Sequence, residues 1–487
     1  MENFTLTLRL KTNENDIRWL NKVFFCSNRI YNIGVKEARK RLNKYKEDQI
    51  VNELSKKYRS KEGLSKTDWK ILNNKQKEYE INNKYCLEKY VKLGRLKYSN
   101  WVHSTVAANI ADTVYNSISK YLKDNGREIH YKKYKDLKTI SAKTIEGCVL
   151  YNEDTMTIEY LKHKFKIYIK HNDSYVKECL NSKVKFCRIK RKWHKHQYRY
   201  YVEFVLEGIP PLKRKYSSGV AGVDLGTSTI AVSSKNKLIF TELNDGINSI
   251  DEEIKKLNRK ADRQRRANNP QNYNENGAIR RNSKNFKRKW IISNSNKKTY
   301  DEIKALYQKR SNQLKQFHHL LSNEIVECGD YIKIENMDYQ ALAKKSKKTE
   351  ISNKTNKYKK KKRFGKSIQI HAPAQLINLV RMKLHYVGGI VETVNNYKIR
   401  ASQFNHLTGE YLEVKLNDRW KTLLPNIEVQ RDLYSAFLIE HVEDKNNYNY
   451  ETLSEDFKTF KQQHDILINE LIKQKQEGKV FPSCMGI

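Results

Sequence analysis

The chain is short of acid. Its 487 residues carry 55 Asp and Glu against 96 Lys and Arg, a formal charge of +41. Such an excess repels itself unless a polyanion neutralises it, which points to nucleic acid as the partner. An acidic membrane surface would attract the same charge, yet no apolar run of 18 residues, lipidation signal or charged-then-apolar leader occurs. A soluble, cytoplasmic protein that binds no membrane is expected. Also missing is any C-x-x-C pair: Cys26, Cys86, Cys148, Cys179, Cys187, Cys328 and Cys484 are odd in number and scattered, and read as reduced and mostly structural. No internal repeat or sustained heptad pattern appears.

What is abundant is tyrosine, at 31. Flat side chains among cations stack on unpaired bases while Lys and Arg hold phosphates, favouring single strands or folded RNA. An AT-rich genome inflates Tyr, Lys, Asn and Ile together, so composition names a ligand class and no activity. The length allows two to four domains.

Phe4, Leu6, Leu8 and Leu10 alternate with polar residues, the period of a half-buried strand. Asn13 to Asp16 form a helix-start cluster, after which Ile17, Leu20, Phe24, Ile30 and Tyr31 recur at helical spacing. Charged helices with few Gly or Pro breaks continue to about residue 125, where Val106, Ile110, Val114 and Ile118 mark a packing stripe. From 126 to 215 the period becomes two, as in Phe165, Ile167, Ile169 and in Tyr198, Tyr200, Val202, Phe204, which predicts antiparallel sheet and, with the first strand, a small barrel. Arg188 to His196, including Lys190, Arg191, Lys192, Trp193 and Lys195, joins cations to an aromatic ring and predicts a phosphate-gripping loop at the mouth of the last strand. A plain solvated turn is the competing reading. Pro210 to Ser218 reads as a linker, and the lysine-rich stretch 344–366, with Arg363, as a mobile basic loop touching nucleic acid.

Three acids carry the chemistry. Asp224 ends the apolar strand Gly219-Val-Ala-Gly-Val-Asp224, with Gly226 in the turn that follows. Glu335 ends Tyr331-Ile-Lys-Ile334, and Asp432 opens an apolar helix through Leu433, Ala436 and Phe437, where a helix N-terminus favours an anion. Three carboxylates drawn together repel one another unless divalent cations lie between them, and Mg2+ is the hard, oxygen-loving candidate. Two such ions about 4 Å apart would activate water and stabilise the leaving oxygen of a phosphodiester. Taken singly, each acid is equally a turn or surface residue. Val-Asp-Leu-Gly-Thr-Ser also resembles the first phosphate motif of actin-like and sugar-kinase ATPases, but only 18 glycines are present and no second Asp-x-Gly-Gly follows.

At these residues the sequence resembles the TnpB family and the compact type V CRISPR effector nucleases. Gly222-Val-Asp-Leu-Gly226 is similar to the first RuvC motif, Ile332-Lys-Ile-Glu-Asn-Met337 to the second, and Arg431-Asp-Leu-Tyr-Ser-Ala436 to the third, usually Arg-Asp-x-Asn-Ala-Ala. The opening strand and Arg29-Ile-Tyr-Asn32 resemble the family's wedge. The resemblance implies an α+β multidomain protein with a β-barrel-like wedge domain, a helical recognition lobe and a RuvC (ribonuclease H-like) α/β nuclease domain. Its parts would be the wedge at 1–37 and 126–215, the recognition lobe at 38–125 and the nuclease at 216–487. It further implies an RNA-guided DNA endonuclease of bacterial cytoplasm, with guide RNA and target DNA as partners and Asp224, Glu335 and Asp432 as catalytic ligands of two Mg2+ ions, Mn2+ being an alternative. A nuclease-inactive guide-directed repressor and a transposase-type strand-transfer enzyme are the alternatives.

The departures fall in one place. Where the family carries a zinc ribbon with two C-x-x-C pairs, Ser402-Gln-Phe-Asn-His-Leu-Thr-Gly409 offers Asn405 and Thr408, and the second pair is missing, so a zinc-free remnant of the target-loading insert is expected at about 400–428. Ser402, Gln403 and Arg419 in that stretch are candidate nucleic-acid contacts, and His406 is expected as a structural or nucleic-acid contact. Tyr434 stands where the third motif usually has Asn.

Overall fold

The computed structural model of the chain describes every residue except 1, 61–62, 124–125, 127, 144–148, 195–196, 213–215, 245–247, 284–285, 347–348, 353–357, 359–363, 414 and 416. Lys195 and Arg363, like much of the lysine-rich stretch 344–366, therefore lie outside the described residues. The chain divides into two compact units, Met1–Lys213 and Arg214–Ile487.

The first unit opens with β1 (Asn3–Lys11), in which every second residue is buried. Asn13 and Asp16 then cap α1 (Glu14–Glu47) reciprocally: the Asn13 side chain accepts from the Asp16 N–H and the Asp16 carboxylate from the Asn13 N–H. Helices α2 (Gln49–Arg59), α3 (Lys66–Glu78), α4 (Glu88–Leu96) and α5 (Ser104–Leu122) follow, the last burying Val106, Ile110, Val114 and Ile118. Strands β2 (Thr139–Ile140), β3 (Leu150–Asn152), β4 (Thr157–Tyr160) and β5 (His163–Tyr168) precede the short α6 (Ser174–Leu180), β6 (Val184–His194) and β7 (Gln197–Glu207). One antiparallel sheet collects them in the order β2-β6-β7-β1-β5-β4-β3.

Two expectations are corrected here. The sheet is open, not a barrel: its edge strands, β2 and β3, are two and three residues long, too short to close a ring of long staggered strands. The cationic segment from Arg188 is a strand, not a loop, because Cys187, Ile189 and Arg191 alternate inward while Arg188, Lys190 and Lys192 alternate outward.

The second unit is built on β8 (Val220–Leu225), β9 (Thr229–Ser234), β10 (Lys237–Glu242), β11 (Tyr331–Glu335) and β12 (Ile390–Val394), in the order β10-β9-β8-β11-β12. The first three form an antiparallel meander, and β8, β11 and β12 run parallel. Helices α7 (Asn248–Asn268) and α8 (Asn294–Cys328) connect β10 to β11. After β11 come α9 (Tyr339–Ala343), α10 (Gly365–His371), α11 (Pro373–His385) and, past β12, α12 (Asn396–Ile399), α13 (Arg431–Glu440) and α14 (Tyr450–Gln476). Ala221, Val223 and Leu225 point to the core shared with Leu321, Ile325, Leu376 and Val380 of α8 and α11. On the opposite face α13 and α14 pack with Ala231, Phe240 and Val394. Among the described residues no helix is long and apolar enough to cross a membrane.

Candidate active site

The alternation of β8 and β11 decides where two acids face. Val223 and Leu225, like Ile332 and Ile334, enter the core under α8 and α11, so Asp224 and Glu335 must point to the α13 side. The parallel register pairs Ile334 with Val223. The next residue on each strand is Glu335 and Asp224, side by side at the strand ends and about 5 Å apart in backbone.

The third acid arrives through an unusually close helix. A Cβ on Gly222 would lie 2.1 Å from the Ala436 carbonyl oxygen and 2.3 Å from the Glu440 nitrogen, so only glycine lets α13 rest on β8. Asp432 sits one turn before Ala436, and Asp224 two residues beyond Gly222; each offset is about 6 Å in the same direction. Both acids consequently line one cavity of about 440 Å³ with Glu335, walled also by Thr227, Ser402, Arg419 and Arg431.

The electrostatics are unbalanced. Asp224 lies deep in the unit while keeping part of its surface on the cavity, and burial, then the charges of Asp432 and Glu335, push its carboxyl well above the ordinary carboxylate range; Arg431 opposes this. Burial raises Glu335 too. Asp432 has a partner: its Oδ1 accepts from Arg431 Nη2 at 2.8 Å and Nε at 3.0 Å, while Arg419 Nη1 stands 4.0 Å from Oδ2. The donor set is all carboxylate oxygen, which suits a hard divalent cation, and the like-charge pressure on Asp224 is what a cation would relieve. Among the described residues no group of three or more acid, His or Cys side chains stands at spacing that holds a metal ion, the three acids included. Arg431 is the competitor for Asp432.

The other sequence candidates are dispersed. Ser402 and Arg419 lie on the cavity wall, and Gln403 is half-buried in the turn behind Ser402. In the first unit Arg188 and Lys190 both bind Glu203, at 2.6 and 3.0 Å. Lys192 is exposed over the Tyr201 ring, and Trp193 packs edge-on against Tyr198. Arg191 is corrected outright as a phosphate contact. It is 1% exposed, lies against the rings of Phe24, Tyr134 and Tyr198, and donates to the carbonyls of Leu137 and Tyr134.

Sequence reasoning missed two supports. Tyr339 donates to the Leu225 carbonyl at 3.1 Å, propping the strand end that carries Asp224; its place four residues after Glu335 was the available signal. The insert without thiolates is held by a polar cluster. His406 gives its main-chain N–H to the Tyr434 hydroxyl at 3.1 Å, and that hydroxyl bonds its Nδ1 at 2.7 Å. Asn405 donates to the Leu423 carbonyl at 2.9 Å, and buried Lys421 to the Phe404 carbonyl at 2.7 Å. Burial pushes Lys421 down to about 8 and, with the charges of His441 and Lys421, His406 down to about 4.

No protein-family model matches the chain, and no curated protein matches it. Among solved structures, it is similar to a Cas12i variant in complex with crRNA and double-stranded DNA, at 14% identity and a TM-score of 0.27, over 93% of this chain and 64% of that one. It is also similar to the Cas12i1 R-loop complex after target DNA cleavage, at 11% identity and a TM-score of 0.27, over 80% of this chain and 57% of that one. The chain thus spans about three fifths of the length of the solved structures it matches. Overlap this loose leaves the functional reading to the residues of the cavity.

Proposed function

We propose that the chain is a metal-dependent DNA endonuclease directed by a guide RNA, with Asp224, Glu335 and Asp432 as its catalytic acids. One observation carries the nuclease reading: three acids distant in sequence line a single cavity, and two of them have carboxyls raised by burial, Asp224 further by its neighbours' charge. The sheet order, a three-stranded meander followed by two parallel strands, is that of a ribonuclease H-like nuclease and supports it. The RNA-guided part rests on the motif resemblance and on the +41 charge.

Mg2+, bound by these carboxylates, would supply an activated water and a stabilised leaving oxygen. The chain's own residues fix the geometry around it. Asp224 and Glu335 are held on adjacent strand ends and so keep their spacing. Arg419 and Arg431 put two cations on the wall, fit to receive the scissile phosphate once Arg431 leaves Asp432. Ser402 stands on the same wall to orient the strand.

The Arg431–Asp432 pair is also the observation that favours a second reading, a guide-directed DNA binder that does not cut. The experiment that separates them loads the full chain with the RNA that copurifies with it. DNA complementary to that RNA is then offered with Mg2+ or Mn2+. Cleavage of matched DNA, abolished by Asp224→Ala with RNA retained, is the expected result. Matched DNA bound but never cut would leave the binder.

A further inference from the structure

The first unit holds a second cavity, of about 350 Å³, between α1, α5 and the segment 132–141. That is room for about ten waters or one ligand of nucleotide size. Its frame is built in advance. Asn32 clamps the main chain of Lys132 from both sides, donating to its carbonyl at 2.9 Å and accepting its N–H at 3.0 Å, and Asn28 donates to the same carbonyl at 3.0 Å. Across the opening Asn109 donates to the Ser141 carbonyl at 2.9 Å.

Inside this frame two polar groups are left over. Ser27 is 1% exposed and lines the cavity, and among the described residues its hydroxyl has no hydrogen-bond partner, a costly state for a buried donor. The Lys132 ammonium is half-buried over the face of Tyr31, 4.3 Å from its centroid, and among the described residues no acid forms an ion pair with it. Burial accordingly lowers its pKa, with only Asp136 pulling the other way. Asp136 on the cavity wall is the one acid acting on it among the described residues, and it forms no ion pair, so the half-buried cation can still receive an anion. Val106, Ile110 and Leu137 supply apolar wall for a flat group beside it, and Lys133, Lys135 and Lys138 are exposed nearby along the chain.

We infer that this cavity takes one unpaired nucleotide of a bound strand, its phosphate on Lys132, its base against Val106 and Ile110, and Ser27 completing a hydrogen bond to it. The assignment rests on the polynucleotide-binding part of the function proposed above and is independent of the acids in the other unit. Turning out a base that is already unpaired costs little, and its stacking on the wall and the phosphate contact offset that.

The test uses the full chain and unstructured 12-residue strands, in RNA and DNA forms, each with 2-aminopurine at one position. This base brightens when it leaves its neighbours' stack, and anisotropy of a terminal dye reports affinity. At least one position should brighten on binding, and the form that does so identifies the sugar. Lys132→Gln should lose the brightening and weaken binding about tenfold, against less than about twofold for Lys89→Gln at an exposed position of α4. Ser27→Leu, which fills the cavity, should also lose the brightening, with a thermal melt to show that it folds. Strands that bind equally well to Lys132→Gln and brighten equally overturn the site and leave polynucleotide binding intact. A wild-type chain that binds no strand overturns both.

Discussion

Buried charge is handled in opposite ways in the two units. In the first, Arg191 is sealed from water with three rings around its guanidinium and two carbonyls accepting from Nε and Nη2, so that only Nη1 lacks a hydrogen-bond partner among the described residues. Glu203 of the same sheet is matched by Arg188 and Lys190. In the second, three acids line one cavity, and Asp224 is left under pressure from the others. A satisfied buried charge fixes a fold; an unsatisfied cluster costs stability and persists where something outside the chain completes it. Arg191 sits in a basic run of the sequence and is structural, whereas Asp224 sits in a short apolar strand and faces the cavity.

The largest expected effect breaks the comparison at the acids. Asp224→Asn should lower cleavage of guide-matched DNA by more than about a thousandfold while RNA binding changes less than about twofold. The same substitution should stabilise the metal-free protein at pH 8. The folded carboxyl lies above its free value, so its ionisation withdraws stability as pH rises through that raised value, and asparagine removes the penalty. A lower melting temperature for Asp224→Asn in metal-free buffer would mean that the charge is as satisfied as Arg191. Next in size, Arg191→Met should cost about 3 kcal/mol in urea unfolding of the first unit, because it leaves two carbonyls without a donor. Glu203→Gln should cost about 1 to 2 kcal/mol by the same measurement, since Arg188 and Lys190 lose their counter-charge.

The contrast also shows what was legible in the sequence. Period-two spacing announced β1 and helical spacing α1 and α5, because one face of each is apolar and the other polar, and a short apolar run announced β11. The acids could be nominated from their places at strand ends and a helix start. Their convergence depends on Gly222, whose missing side chain lets α13 touch β8, and on a parallel register no local pattern encodes. The barrel expectation failed because closure depends on edge-strand length, and the two edges are short. The reading of Arg191 failed because a guanidinium among lysines looks exposed until three aromatic rings from distant segments close over it.

The smallest effect concerns Lys421, a buried cation of the second unit with a ring and carbonyls around it. Lys421 donates to the Phe404 carbonyl and lies 5.3 Å from the centre of the Tyr434 ring, but, unlike Arg191, it has a titratable neighbour in His406. Burial, with His441 and Lys421 nearby, holds this imidazole down at about 4, so the unfolded chain takes up the proton first and stability falls as pH drops from about 6.5 toward 4. Asp224 and Glu335, whose carboxyls are raised, pull in the opposite direction over part of that range. The readout is therefore the difference between wild type and His406→Gln. The variant's melting temperature should fall less between pH 7 and pH 5, while Tyr434→Phe, which keeps the imidazole but removes the hydroxyl bonded to it, should cost about 1 kcal/mol at pH 7. Equal slopes for wild type and His406→Gln would show that the imidazole is as indifferent to pH as Arg191, and that the two buried cations are held in the same way after all.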